Sequence, residues 1–67
     1  MTLEVGKEYI TRENKLVTIT AKHYNKLLGE YVYSSNTGNL YYESGNFYRN
    51  RAFLFDLLEK PKITIII

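Results

Sequence analysis

The chain has no cysteine and no tryptophan, and only one histidine and one proline among its 67 residues. Without cysteine there is neither a disulfide framework nor a thiolate metal site, and a single histidine cannot form a histidine cluster. No segment approaches the roughly 18 apolar residues of a membrane span, and the opening MTLEVGKEY carries acidic residues where a signal peptide would carry an apolar core. Charge of either sign is modest: nine basic against seven acidic residues leave +2, which permits a polyanionic partner without requiring one. These absences set the first expectations: a cytoplasmic chain with no metal, no cofactor and no membrane partner.

Aromatic residues are what the chain has in quantity, with seven tyrosines and three phenylalanines. A chain this short buries only about 60% of its unfolded surface. Residues 1–67 are therefore read as one domain, stabilised by dense aromatic packing and by association with a second copy. Six of the ten aromatic residues and three of the four glycines fall between Gly29 and Arg51. Within that stretch Gly38-Asn39-Leu40-Tyr41 recurs seven residues later as Gly45-Asn46-Phe47-Tyr48, each glycine supplying the positive φ of a turn entering a strand. The stretch reads as three short strands in a double hairpin.

Alternation predicts the rest. Lys7–Arg12 is the first strand, Glu13-Asn14-Lys15 a polar turn with Asn14 at its left-handed position, and Leu16–Tyr24 the clearest strand. In that strand Val17, Ile19, Ala21 and His23 share one face. Asn25–Gly29 is a loop whose Leu27 and Leu28 are expected to turn inward. Leu40–Glu43 and Phe47–Arg49 pair across Ser44-Gly45 or across Gly45-Asn46. The first register is preferred because it sets Tyr42 against Phe47 and Tyr41 against Tyr48. Phe53, Leu54, Leu57 and Leu58 have helical spacing, so a short helical turn near 52–59 is expected, with an irregular apolar corner as the alternative. Pro61 ends it. Ile63–Ile67 reads as a terminal strand that needs a partner edge. The expected fold is mainly β, a small SH3-like or partly open β-barrel of five to six short strands. Its predicted core includes Val17, Ile19, Val32, Leu40, Tyr42, Phe47 and Leu57.

Tyr9-Ile10-Thr11-Arg12, the polar turn and β-branched strand after it, Gly45-x-Phe47-Tyr48 and Phe55-Asp56-Leu57-Leu58 together resemble a pattern in small phage and prophage proteins. The resemblance spans most of the chain and implies a viral accessory role in the host cytoplasm. It transfers no binding residue.

Nothing in the residue pattern assembles an enzyme's chemistry. His23 has no partner that spacing can assign, Glu30, Glu43, Asp56 and Glu59 lack metal-ligand spacing, and Ser34 and Ser35 lie in a turn. Asp56 reads as a turn cap. The candidate ligand-binding residues are Tyr31, Tyr33, Tyr41 and Tyr48, whose rings could stack on a base, and Arg49 and Arg51, which could hold a phosphate. The same tyrosines would also serve to fill a small core or an interface. The leading functional expectation is a non-enzymatic binding module. It would act as a phage-type accessory or anti-defence protein that blocks a host protein or sequesters a small anionic, nucleotide-like ligand. A nucleic-acid-binding barrel and a structural or assembly subunit are the alternatives.

Overall fold

A computed structural model describes residues 1–60; the expected strand at Ile63–Ile67 lies outside the described residues. Five antiparallel strands form one sheet: β1 (Glu8–Thr11), β2 (Leu16–Asn25), β3 (Glu30–Ser35), β4 (Leu40–Tyr42) and β5 (Leu57–Leu58). They lie side by side in the order β4-β3-β2-β1-β5. The fold is mainly β, a partly open barrel of SH3-like kind. Among the described residues its strand ladder does not close. Two backbone bonds nevertheless join the segment after β4 to the opposite edge and to the N-terminus: Leu57 N–H to the Gly45 carbonyl at 2.8 Å and Leu3 N–H to the Glu43 carbonyl at 2.9 Å.

The β1–β2 hairpin forms as its sequence dictates. Asn14 takes the left-handed conformation with φ 68°, which asparagine tolerates better than most residues. The Thr11 carbonyl accepts the Asn14 amide at 2.9 Å and the Thr11 hydroxyl accepts the Lys15 amide at 3.0 Å. Tyr9, paired with Val17, then faces inward together with Thr11 and Ile19, all four buried.

β2 departs from simple alternation at Thr20, where its register against β3 shifts between Ile19 and Ala21. A bulge adds one residue and so reverses which side chains face the core. Beyond it Lys22 and Tyr24 stand opposite Tyr33 and Tyr31, while Ala21 and His23 turn to the outer face. The expected single face of Val17, Ile19, Ala21 and His23 is therefore broken at the bulge.

The buried core is Leu3, Tyr9, Val17, Ile19, Tyr33, Tyr41 and Leu57, with Phe47 packed against it. Val17, Ile19 and Leu57 were expected there. Val32 and Tyr42 are only half-buried and Leu40 is exposed, because β3 and β4 turn Tyr33 and Tyr41 inward instead. So small a barrel has room for long rings whose hydroxyls reach toward its rim. The Tyr9 oxygen accepts the Glu4 amide at 2.9 Å, and the Tyr33 hydroxyl donates to Glu43 Oε1 at 3.4 Å.

Two further expectations are corrected. Residues 47–51 form no strand: Gly45 N–H bonds the Tyr42 carbonyl at 2.9 Å and Tyr42 N–H bonds the Asn46 carbonyl at 3.0 Å, after which the chain leaves the sheet. Residues 52–59 form no helix but a tight turn, with Asp56 N–H bonded to the Phe53 carbonyl at 3.0 Å, leading into β5. One side chain accounts for both. Asp56, 1% exposed, accepts the Phe47 and Phe53 amides, each at 2.9 Å, and the Arg12 Nε–H at 3.2 Å. Its carboxylate takes amides that a hairpin or a helix would have used, and lashes the two loops together.

Candidate functional site

The β2–β3 ribbon runs past the end of the core. Its loop, residues 26–29, is closed by Gly29 N–H to the Asn25 carbonyl at 2.8 Å, with Gly29 at φ 68°. The Asn25 side chain accepts the Leu28 amide at 3.0 Å. A loop this far out cannot return its side chains to the core. Leu27 is 99% exposed and Leu28 is exposed beside it, a correction to the expectation that both turn inward. Just below, Tyr24 and Tyr31 meet edge to face at 5.2 Å, both exposed. Lys22 Nζ sits 4.2 Å from the Tyr31 ring centre and 5.8 Å from that of Tyr33.

Leu28 also lines a groove of about 220 Å³ on the outer face of β3 and β4, walled by Val32, Leu40, Tyr42 and Phe47. Tyr42 connects it to a more polar cleft of about 380 Å³ that holds Glu30, Ser44, Asn46 and Arg49. In that cleft Arg49 bonds Glu30 Oε1 at 2.6 Å and lies 5.1 Å over the Tyr42 ring. Leucines at the tip, an apolar groove and an ion pair at its far end thus form one continuous surface. Among the described residues Lys22, Lys26 and Arg51 are the basic side chains without a carboxylate partner. Two of the three belong to this ribbon.

The six expected ligand-binding residues are not brought together. Tyr33 and Tyr41 are core side chains, 1% and 2% exposed, so neither offers a ring face for stacking. Tyr31 is at the ribbon and Arg49 in the polar cleft, already paired with Glu30. Tyr48 and Arg51 do meet, the guanidinium 4.2 Å over the ring and 6.0 Å from Phe53. They border a cluster in which Phe47 stacks on Phe53 at 5.4 Å and both rings meet Phe55 edge-on. Arg49 and Arg51 therefore serve separate surfaces, the first against Glu30 and Tyr42 and the second against Tyr48 and Phe53. Leu27, Leu28 and Tyr24 were missed as surface candidates. The signal that could have found them is two leucines inside a four-residue loop between two strands, where leucine has no turn chemistry to supply.

Two ionisable groups are displaced from their ordinary range. For Asp56, burial pushes the carboxyl up, but the Phe47 and Phe53 amides and the Arg12 guanidinium outweigh it and hold it below its usual value. Burial is the largest influence on Tyr41 and raises its hydroxyl; the Asn39 side chain acts the other way, and the charges of Asp56 and Glu13 add to the rise. Among the described residues no three His, Asp or Glu side chains form a metal-binding group, and no helix is long and apolar enough to cross a membrane.

Comparison with known proteins finds no matching family model, no matching curated protein and no matching solved structure.

Proposed function

We propose that this chain is a non-enzymatic binding module that occupies the surface of a host protein through the β2–β3 ribbon and the groove beside it. The observation that carries the reading is Leu27, fully exposed at the tip and adjoining Leu28, Tyr24 and Tyr31. Contiguous exposed apolar surface with a charged rim is the composition of a docking site. The unpaired Lys22 and Lys26 give the partner its chemistry: an acidic protein surface presenting apolar side chains. The phage-type accessory role implied by the sequence resemblance gives such docking a use, since blocking a host defence protein needs affinity and no turnover.

Capture of a small anion is supported by Arg51 over Tyr48, an exposed guanidinium with no carboxylate beside it among the described residues. Arg49 adds nothing to that reading while Glu30 neutralises it. A single-strand-binding barrel would retain Tyr31 and Tyr48 as stacking rings.

The test is affinity capture from host cells with the wild-type chain and with Leu27→Glu and Lys22→Glu. The proposal expects one host protein in stoichiometric amount with the wild type, and its loss from both variants at unchanged melting temperature. Retention of the same protein by the folded variants contradicts the docking surface. A light-scattering mass of two chains that falls to one in Leu27→Glu would assign the surface to self-association instead.

A further inference from the structure

β2 runs on past the strand beside it. Its bonds to β1 and to the turn before β1 end at Ile19, whose amide donates to the Lys7 carbonyl at 3.1 Å and whose carbonyl accepts the Gly6 amide at 2.8 Å. The chain before Gly6 turns away, its Leu3 amide bonded to the Glu43 carbonyl at the other edge of the sheet. From Ala21 to Asn25, β2 therefore has β3 on one side and, among the described residues, no strand on the other. Such an edge presents unpaired N–H and C=O groups, the template on which another chain can add a strand.

The bonding pattern fixes which groups point outward. In an antiparallel ladder the amide and carbonyl of one residue point to the same side, and successive residues alternate. Tyr42 spends both groups on Asn46 and Gly45, away from β3, so its neighbour Tyr41 is the residue that exchanges bonds with Tyr33. Tyr33 thus faces β4, and Val32 faces β2, where it opposes His23. Asn25 faces the same way as His23, its carbonyl accepting the Gly29 amide that closes the loop. Lys22 and Tyr24, on either side of His23, are left with amide and carbonyl directed at the open edge.

Lysine on an edge strand commonly guards it. Lys22 does not, because its ammonium lies 4.2 Å from the ring centre of Tyr31 on β3 and the side chain folds back across the ribbon. The side chains along the edge then set the pattern of an incoming strand. On one face, residues two apart would lie beside Lys22 and Tyr24. A carboxylate suits the Lys22 ammonium, which has no acidic partner among the described residues, and an apolar side chain suits the Tyr24 ring, 56% exposed. The other face meets Ala21 and His23.

We propose that β2 between Ala21 and Asn25 receives an extended segment of the partner protein as an added strand, with an acidic residue beside Lys22 and an apolar one two positions away beside Tyr24. The inference rests on the ribbon being the docking surface and adds how the partner is held. Backbone bonds to Lys22 and Tyr24 supply affinity, and the Lys22 charge supplies selectivity.

The probe is a short synthetic peptide carrying glutamate and valine in turn at every second position with threonine between them; the control has lysine for glutamate. Amide exchange of the full chain is followed by NMR with each. At saturation the acidic peptide slows exchange of the Lys22 and Tyr24 amides at least about tenfold. It leaves Ala21 and His23, already bonded to β3, unchanged, and its effect fades as salt rises. The lysine peptide has no effect on the wild type and gains one on Lys22→Glu. A chain synthesised with an N-methylated amide at Tyr24 keeps its side chain, melts like the wild type because that amide bonds only water, and does not bind. No protection by the acidic peptide, equal protection by both peptides, unchanged binding to the N-methylated chain, or a lowered melting temperature for that chain each overturns the proposal. So does slow exchange of both amides without peptide, which assigns the edge to a second copy where it grows with protein concentration and to the chain itself where it does not. Capture from host cells separates this inference from the reading beneath it. A protein lost from Leu27→Glu but kept by the N-methylated chain leaves the docking surface standing and refutes strand addition.

Discussion

Replacing Asp56 by alanine removes one carboxylate and should undo the joint between the two loops that close the barrel. The side chain is buried and accepts the Phe47 and Phe53 amides at 2.9 Å each. Leaving either donor unpaired costs about 1–3 kcal/mol, so the pair costs about 2–6 kcal/mol. The Arg12 contact adds little, since the Arg12 side chain is 45% exposed and regains water when released. A chain of this length has a total stability of about 3–10 kcal/mol. Asp56→Ala should therefore lower the melting temperature by at least about 8 °C or leave the chain unfolded at room temperature. Asp56→Asn keeps one acceptor oxygen and should fall between the two. The dependence on pH follows from the depressed carboxyl, whose ordinary value is 3.8. Its folded value lies below the unfolded one, so its stabilisation is complete above the unfolded value and is lost as the pH falls through the folded one. Melts followed by circular dichroism between neutral and acid pH should show wild type and Asp56→Asn converging in that acid window. An Asp56→Ala variant melting within about 2 °C of wild type would refute the reasoning.

Gly45→Ala should destabilise far more than Gly38→Ala. Both glycines have positive φ, but a Cβ at 45 would lie 2.7 Å from Met1 Cε and 2.9 Å from the Leu57 carbonyl, whereas one at 38 meets nothing within 4 Å. Backbone strain of about 1–3 kcal/mol is common to both, and equal melting temperatures would contradict the packing at 45. Tyr9→Phe should cost about 1 kcal/mol by freeing the Glu4 amide, and an unchanged chemical-denaturation midpoint would contradict that bond. Ile19→Ala, at a fully buried position, should cost about 2–5 kcal/mol, and a normal urea midpoint would remove it from the core.

Local rules made the β1–β2 half of the fold legible. Asn14 has turn chemistry, and Tyr9, Thr11, Val17 and Ile19 alternate cleanly up to the bulge. The rest depended on facts that periodicity does not carry. The bulge at Thr20 reverses the faces of β2, and nothing in LVTITAKHY distinguishes Thr20 from Thr18. Val32 and Leu40 read as core by hydropathy, yet Tyr33 and Tyr41 take those places because a thin barrel needs long rings more than it needs aliphatic ones. The loops at 43–57 follow from Asp56, whose two amide partners lie three and nine residues away and could not be paired by spacing. As for the candidate site, tyrosine and arginine content pointed to binding. It could not tell a tyrosine facing the core from one facing water, and it gave no weight to an exposed Leu27.

The ribbon surface is tested most directly by placing a photoreactive amino acid at Leu27 and, as a control, at Leu16, which is also exposed but lies at the opposite end of β2. After irradiation in host cells, the docking account predicts a discrete adduct with one host protein from position 27 and none from position 16. The same adducts from both positions, or none from position 27, would contradict it.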